Sequence, residues 1–343
     1  MPDALPNGHR FFLAEHSARG ALYHGGVGNV DIERVLLADG WQPIAFGDQE
    51  NFGPAAKVRR TARMLRYLAS IPKGASLLLQ WPVYAGQSRL LLRGLRRFRP
   101  DVRIVCFLTD INGLKDADAA LLDAELQVFR RLNYFIAHND VMRHWLLEQV
   151  PGARVATIDF FDFLAPVAGR DRAPEPSLCF AGNLEKSPFV GQLGALPGLR
   201  FHLYGAGTPF LPLADNCHHH GTYAPAQLPG LVKGAFGLVW DGTGIDGHEG
   251  ALGTYARWIS PHKLSLYILA GLPLVCHSAS AAAQLADKYG IGISVNSLYE
   301  VEERIAGVSS PAYAAMRDRM RALAPAIATG GRLRAALRAL ESA

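Results

Sequence analysis

Short apolar runs of strand length alternate with amphipathic helical patterns along the chain. The strand-like runs cover residues 11–14, 43–46, 76–81, 102–108, 134–137, 155–158, 177–181, 200–204, 235–240, 272–276 and 291–295. The clearest helical patterns between them cover residues 31–38, 54–70, 116–131, 141–149 and 279–289. Continuous apolar strands separated by helices are typical of parallel sheets with helices on both faces. We therefore predict an α/β fold.

A stretch rich in proline, glycine and charge, PVAGRDRAPEP at residues 166–176, interrupts this alternation near the middle of the chain. We interpret it as an interdomain linker. It predicts two doubly wound, Rossmann-like domains, residues 1–168 and 169–343, with a cleft between them. The segment at residues 311–343 is helical and basic. It could pack within the second domain or back on the first domain. Open α/β sheets bind ligands beyond the carboxyl ends of their strands, so the loops after the strands are expected to hold the chemistry.

One segment of the second half has the pattern of an anion site. The strand that ends before Asp241 is followed by a loop with five glycines, then by Ser260-Pro261-His262-Lys263 and an apolar helix that stops at Gly271. Serine is a good N-cap and proline suits the first helical position. A helix N-terminus favours anions, and a lysine in the first turn adds a cation. We predict a phosphate or diphosphate site here, in which glycines bring the backbone close to the ligand. A flexible surface loop before an ordinary core helix is the alternative.

Composition narrows the class of protein. With 343 residues, 49% apolar and 19% charged, the chain is long and apolar enough for two folded domains. Its four cysteines show no CxxC spacing and three lie in strand-like runs, which predicts reduced core residues and a cytoplasmic protein. We see no apolar run of signal-peptide length at the N-terminus, and the longest apolar stretch, about 13 residues, is too short to span a bilayer.

The net charge of +5 is unevenly distributed. Between Lys57 and Arg103 there are 12 basic residues and one acid, Asp101, with arginines beside leucines at helical spacing. Such a basic amphipathic face suits an anionic membrane surface, and we favour that partner over nucleic acid. An ordinary solvated helix face is the alternative. Attachment to the inner face of the membrane would then accompany a cytoplasmic location.

Several further motifs have plain structural readings. Asp116-Ala117-Asp118 matches a metal-binding DxD pattern, but acids also suit the start of a helix, and we predict no metal site. Cys217-His218-His219-His220 lacks spaced partners for zinc, and we predict a solvated loop. Asp159 and Asp162 flank aromatic residues near the domain boundary, where we expect packing and capping. The sequence contains no GxSxG, HExxH, Walker A or protein-kinase motif.

Blocks in the second half of the chain match a known signature. They include WDG at 240–242, GTY at 253–255, PHKLSLY at 261–267 and AGLP at 270–273; upstream, FAGNLEK at 180–186, YG at 204–205, GTY at 221–223 and HN at 138–139 add to them. Together they resemble GT-B sugar transferases, in particular bacterial β-1,6-galactofuranosyltransferases and adhesin-modifying glucosyltransferases, over roughly residues 108–301. The family usually has an acidic residue and an asparagine where this chain has Thr254 and Ser260. That departure bears on sugar or acceptor specificity.

The resemblance implies a metal-independent enzyme without a cofactor. It would move a hexose, such as galactofuranose or glucose, from a UDP-sugar to a glycan, glycolipid or glycoprotein acceptor. Without a metal, fixed cations and backbone amides must stabilise the leaving diphosphate, and Lys263 with the amides after Pro261 is placed to do so. The remaining candidates for the nucleotide-sugar site are Asn183, Lys186, Tyr223, Gly253, Thr254, Tyr255, Ser260 and His262.

Three residues of the first half are candidates for the general base. Transfer with inversion needs a carboxylate or imidazole beside the acceptor hydroxyl. Asp110 ends a predicted strand and is our first choice, with His16 and Asp31 as alternatives. A non-catalytic sugar-nucleotide-binding module and a nucleotide-sugar epimerase stay open as alternative functions, and the sequence is compatible with a monomer and with a homo-oligomer.

Overall fold

The chain forms two compact units. The computed structural model describes residues 9–15, 26–46, 53–207 and 212–342. By its contacts, the first unit comprises Met1–Gly20, Asn29–Ile158 and Arg334–Ala343, and the second comprises Ala21–Gly28 and Asp159–Leu333. The division at 158/159 precedes the 168/169 boundary that the linker predicted, and residues 334–343 group with the first unit.

The proline-rich segment at 166–176 is bound to the second unit. The backbone N–H of Ala168 donates to the Leu269 carbonyl at 2.8 Å. Arg172 donates to the carbonyls of Val232, at 2.8 Å, and Gly234. These hydrogen bonds explain why residues between Asp159 and the first strand of the second unit belong to that unit rather than to a free linker.

The first unit contains a six-stranded parallel sheet. Its strands are β1 (Arg10–Leu13), β2 (Gln42–Ile44), β3 (Ser76–Trp81), β4 (Arg103–Leu108), β5 (Tyr134–Ala137) and β6 (Arg154–Thr157), in the order β2-β1-β3-β4-β5-β6. The helices along this half of the chain are α1 (Val27–Ala38), α2 (Pro54–Ser70), α3 (Gly86–Phe98), α4 (Asn112–Lys115), α5 (Ala119–Phe129) and α6 (Asp140–Gln149). All six residues of β3 are buried, as expected for a central strand covered on both faces.

The second unit contains another six-stranded parallel sheet. Its strands are β7 (Ser177–Ala181), β8 (Arg200–Tyr204), β9 (Cys217–His219), β10 (Phe236–Val239), β11 (Leu274–His277) and β12 (Gly292–Val295), in the order β12-β11-β10-β7-β8-β9. The helices are α7 (Leu228–Leu231), α8 (Gly250–Tyr255), α9 (Lys263–Ala270), α10 (Ala281–Tyr289), α11 (Val301–Ala306), α12 (Ser310–Ala328) and α13 (Gly331–Ser342). The last of these, α13, continues into the residues that group with the first unit.

The α/β prediction is confirmed, and every predicted strand is present within a few residues of its expected bounds. One strand of the structure, β9, was not predicted, because we expected a solvated loop at Cys217–His220. Residues Cys217 to His219 instead pair in parallel with β8, and the Cys217 side chain is buried. A three-residue edge strand with a single apolar side chain carries no apolar run, so its pattern resembles a loop.

The reversal of strand order in the second sheet lies between β7 and β10. Helix α9, buried at seven of its eight positions, packs over this point. A Cβ at Gly237 of β10 would overlap the Tyr267 ring of α9, so the glycine allows the helix to lie close to the sheet. The Tyr267 hydroxyl accepts from Ala181 N at 3.0 Å and donates to Leu238 O at 3.1 Å, which joins β7 to β10.

None of the helices within the described ranges has the length and hydropathy needed to cross a bilayer.

Candidate active site

The carboxyl ends of β7 and β10 meet where the strand order of the second sheet reverses. Loops that leave neighbouring strands there go to opposite faces of the sheet, which opens a crevice for ligands. Gly182–Lys186 follow β7, and Trp240 and Asp241 follow β10. The N-terminus of α9 is the third segment at this place, as the contacts of its first residue show.

Lys263 joins these three segments. Its Nζ lies 2.8 Å from Asp241 Oδ1 and 4.8 Å from the centre of the Phe180 ring of β7. A Cβ at Gly182 would lie 3.2 Å from Lys263 Cε, so the glycine leaves room for the lysine chain. The side chains of Lys263 and Asp241 are 16% and 24% exposed. The lysine predicted to be a cation at a helix N-terminus is therefore there, and it is already paired with a carboxylate.

The start of α9 differs from the prediction. The helix begins at Lys263, with His262 in the N-cap position and no side-chain cap, and Ser260 is a buried residue ahead of it. The amide of Leu264 donates to Pro261 O at 3.0 Å, which makes a tight turn before the helix. Because Leu266 N donates to His262 O at 3.2 Å, two amides after Pro261 bond to the chain itself. The Lys263 side chain is the cation at this helix start.

The glycine-rich loop after β10 is folded on itself. The indole Nε1 of Trp240 donates to Gly244 O at 2.9 Å, and Ile245 is buried. A Cβ at Gly242 would overlap the carbonyl oxygen of Gly247, and one at Gly253 would overlap that of His248. Glycine is needed at Gly242 for packing within the loop and at Gly253 for packing of α8 against the loop, which is a different reason from the predicted approach to a ligand.

A histidine that sequence reasoning missed packs beside Asp241. The His248 ring stacks on the His277 ring with centroids 4.3 Å apart, and its Nε2 accepts from Asp241 N at 3.3 Å. Burial, followed by the nearby His277, lowers the pKa of His248 to about 4. His248 is therefore neutral near pH 7 and can accept this hydrogen bond. No motif in the sequence pointed to it, because its role depends on how the loop folds.

The β7 loop carries Asn183 and Lys186 at its surface. Asn183 Oδ1 accepts from Lys186 N at 3.2 Å, which closes a short turn, and both side chains are exposed. Gly205, after β8, has φ +137°, and a Cβ there would overlap Gly182 O. The turn that bears Asn183 and Lys186 thus follows a tight backbone contact between the loops after β7 and β8.

The other candidates for the nucleotide-sugar site have varied surroundings. Tyr223 is half-buried, with its ring 6.2 Å from that of Tyr204. Thr254 is exposed on α8, whereas Tyr255 is buried. The packing of α8 therefore turns Tyr255 inward and leaves Thr254 at the surface.

His262 is held by aromatic rings. Its ring centroid lies 4.9 Å from that of Phe161 and 5.9 Å from that of Phe163. A Cβ at Gly28 would overlap the His262 ring, so the glycine backbone packs directly on the imidazole. His262 thereby positions the turn before α9, next to Lys263.

The candidate bases belong to the first unit. Asp110 follows β4, is part-exposed and lies 2.9 Å from Lys115 Nζ. Asp31 is buried in α1 and lies 3.1 Å from Arg34. His16 lies outside the described residues. Burial lowers the pKa of His138, whose charge interacts with that of Asp110, to about 4.

Motifs for which the sequence predicted a structural role form hydrogen bonds within the fold. Asp118 caps α5 by accepting from Leu121 N at 3.0 Å. Asp162 accepts from the amides of Arg332 and Leu333 at 3.0 and 2.8 Å, and so caps α13. His202 Nδ1 and His220 Nε2 are 3.0 Å apart. Within the described residues, no group of three or more histidine, cysteine or acidic side chains is arranged to hold a metal ion.

Two family models match the chain. The N-terminal domain of the glucosyltransferase 3-like family matches residues 24–155, and the C-terminal domain of the same family matches residues 178–340. Two relatives are similar in sequence. The β-1,6-galactofuranosyltransferase WbbI of Escherichia coli K12 is 29% identical over 209 residues, which cover 58% of this chain and 60% of that protein. The match therefore spans less than two thirds of the length of WbbI. Glucosyltransferase 3 of Streptococcus gordonii is 22% identical over 296 residues, which cover 85% of this chain and 86% of that one.

Solved structures show the same architecture. Anabaena HepE in complex with UDP and glucose has a TM-score of 0.63 at 13% identity, covering 98% of this chain and all of that one. A UDP-forming trehalose-phosphate synthase from Burkholderia xenovorans has a TM-score of 0.55 at 13% identity, over 95% of this chain and 84% of that one. The two doubly wound sheets are thus those of the GT-B fold. Since family models match both of its halves, this chain belongs to the glucosyltransferase 3-like family of glycosyltransferases.

Proposed function

We propose that this chain transfers a hexose from a UDP-sugar to a glycan, glycolipid or glycoprotein acceptor, in the cytoplasm and without a metal ion or organic cofactor. The observation that carries the proposal is the position of Lys263 at the N-terminus of α9, beside the carboxyl ends of β7 and β10. The UDP bound in HepE supports a UDP-sugar as the donor. The names of the two relatives support a hexose as the transferred group.

Negative charge grows on the UDP diphosphate as the glycosidic bond breaks. An ammonium group at a helix N-terminus stabilises that charge through its own charge and through the helix dipole. An ammonium has three N–H donors, of which one is directed to Asp241, so Lys263 can bind a phosphate oxygen while it keeps its carboxylate partner. Lys186, exposed on the β7 loop, is the second cation that we assign to the diphosphate.

We assign roles to further site residues from their positions in the fold. Asn183 and Tyr223 belong to loops after strands of the second sheet and are assigned to the nucleotide. Asp110 is the proposed base, because its carboxylate is part-exposed at the end of β4, whereas Asp31 is buried. Galactofuranose and glucose are the two donor sugars that the relatives' names support.

Calorimetry with UDP tests the site. The Lys263→Ala substitution removes a charge-assisted hydrogen bond of about 1.5–3 kcal/mol, so UDP affinity should fall by about 10–150-fold. Lys233→Ala is the matched control, because Lys233 is an exposed lysine of the same unit outside this site. Equal affinities for the wild type and Lys263→Ala would refute the assignment.

Turnover separates an enzyme from a binding module. Slow hydrolysis of a UDP-sugar without acceptor, unaffected by EDTA, is expected of the proposed transferase. Binding without any turnover would favour a binding module, isomerised sugar would favour an epimerase, and strict dependence on manganese would contradict the metal-independent mechanism. A thermal-shift panel of nucleoside diphosphates and their sugars would identify the donor, because a bound ligand raises the apparent stability.

A further inference from the structure

Helix α2 exposes an apolar stripe on the side opposite its packed face. Its buried residues are Ala56, Arg60 and Met64. At 100° per residue, Val58 and Leu65 fall on the opposite side of the helix, and they are 68% and 54% exposed. Among the described residues, more than half of each of these two side chains is therefore left accessible to a partner.

The neighbouring helix α3 continues this apolar surface. Gly94 of α3 packs on Leu68 of α2, since a Cβ there would lie 2.9 Å from a Leu68 methyl carbon. Leu90 and Phe98 share the Gly94 side of α3 by helical spacing, and they are 45% and 68% exposed. Exposed apolar side chains grouped in this way mark interaction sites more often than single ones do. We refer to Val58, Leu65, Leu90 and Phe98 as the α2–α3 surface.

Arginines border the α2–α3 surface on both sides. By helical spacing, three lie to one side of the α2 stripe and three lie on the outer side of α3, and all six are exposed: Arg59, Arg63, Arg66, Arg89, Arg93 and Arg97. In the part of the chain that the structure describes, none of these six forms an ion pair. The one acid between Lys57 and Arg103 is Asp101, and Arg99 binds it through two hydrogen bonds of 3.0 and 2.9 Å. Within the described ranges, the border is therefore positively charged and its six arginines are not paired with acids.

We propose that the α2–α3 surface binds the anionic face of a phospholipid bilayer. The arginines would lie at the headgroup phosphates, and the four apolar side chains would enter the boundary between headgroups and acyl chains. Nucleic acid would satisfy the arginines but leave Val58, Leu65 and Leu90 in water, whereas a bilayer accommodates both sets. This inference does not depend on the proposed transferase activity, since α2 and α3 belong to the first unit and Lys263 belongs to the second.

Vesicle flotation of the full chain tests the proposal. Binding is expected to vesicles that contain phosphatidylglycerol, to be much weaker with phosphatidylcholine alone, and to decline as salt shortens the Debye length from about 10 Å at 0.1 M to about 3 Å at 1 M. Equal binding to both kinds of vesicle, or to neither, would overturn it.

The triple variant Arg59→Gln, Arg63→Gln, Arg66→Gln tests the location. One cation near an anionic surface contributes about fivefold (~1 kcal/mol), so the variant should lose about 100-fold in vesicle partitioning. The matched control is Arg130→Gln, Arg304→Gln, Arg321→Gln, which removes three exposed arginines outside α2 and α3. An equal loss in both variants would show a response to net charge alone and would refute a specific surface. An unchanged melting temperature would show that both variants are folded.

A label at Phe98 tests the apolar contact without removing charge. The four native cysteines are buried, so Phe98→Cys provides an exposed thiol for a polarity-sensitive dye. Its emission should shift to the blue on phosphatidylglycerol vesicles, whereas a dye on Tyr299→Cys, a 56% exposed position of the second unit, should not respond. The absence of an emission shift at position 98 would overturn the proposal. So would the finding that double-stranded RNA displaces the chain from the vesicles while the emission of the dye stays unchanged.

Discussion

At the scale of single residues, the position of Lys263 depends on its carboxylate partner. The 2.8 Å bond to Asp241 holds the ammonium near the end of β7, and both side chains are largely shielded from water. Shielding makes such a pair stronger than one on the surface, and it raises the cost of removing one partner. Stability and UDP binding should therefore respond to Asp241 in different ways.

Replacing Asp241 by Asn separates these two effects. We expect the free energy of unfolding to fall by about 1–2 kcal/mol, because the ammonium loses its charged acceptor. UDP affinity should stay equal or rise, because the diphosphate no longer shares the ammonium with a carboxylate. Urea unfolding and calorimetry measure the two, with Asp246→Asn, exposed in the same loop, as the control. Tenfold weaker UDP binding would contradict this view and would mean that Asp241 orients the lysine.

Gly205 and Gly221 test the backbone contact beneath the β7 loop. Both have positive φ, +137° and +88°, so alanine is strained at either position. Only at Gly205 would the added Cβ also overlap Gly182 O, because Gly221 has open space around it. Gly221→Ala should cost about 1 kcal/mol of unfolding free energy and Gly205→Ala more than about 3 kcal/mol. Equal costs, measured by urea unfolding, would show that the loops can move apart.

The sequence located Lys263 but not its partner. Ser-Pro-His-Lys before an apolar helix is a local pattern, and the lysine follows from it without knowledge of the sheet. Asp241 becomes its neighbour only because β10 lies beside β7, and His248 reaches Asp241 only because the glycine loop folds back. Such contacts between distant segments have no local signal.

At the scale of elements, buried strands were predictable and the edge strand was not. β3 and β7 are buried at every position, so most of their residues are apolar and they stand out in the sequence. β9 lies at the edge of its sheet and has histidines at two of its three positions. The start of α9 was misplaced for a related reason, because the turn at Pro261 precedes the helix and Ser260 is buried ahead of it.

Helix α13 begins on a buried carboxylate whose removal should be costly. Asp162 accepts from two backbone amides at the start of that helix, and its own side chain is buried. Asp162→Ala leaves both amides without this acceptor, and we expect a loss of about 2–3 kcal/mol in unfolding free energy. Asp140→Ala, which removes a part-exposed ion pair with Arg143, should cost less than about 0.5 kcal/mol. Equal losses in urea unfolding would show that Asp162 does not act as a cap.

At the scale of the whole molecule, both units contain histidines that folding keeps neutral. Burial lowers the pKa of His138 in the first unit to about 4, and burial together with neighbouring histidines does the same for His202 and His248 in the second. In an unfolded chain the pKa of histidine is about 6.5. Between these two values the unfolded state binds a proton that the folded state does not, so stability must fall as the pH falls through this window.

His138 is the sharpest test, because it is the most completely buried of the three. Between about pH 7.5 and about pH 5, its contribution to the loss of unfolding free energy should be about 2 kcal/mol. His138→Gln keeps a hydrogen-bond donor but cannot titrate, so the pH dependence of its urea unfolding should be flatter by that amount. His144→Gln removes an exposed histidine of α6 and should leave the slope of the wild type. If His138→Gln also kept that slope, acid would be weakening the fold through other groups, and the burial of His138 would not be the cause of its sensitivity.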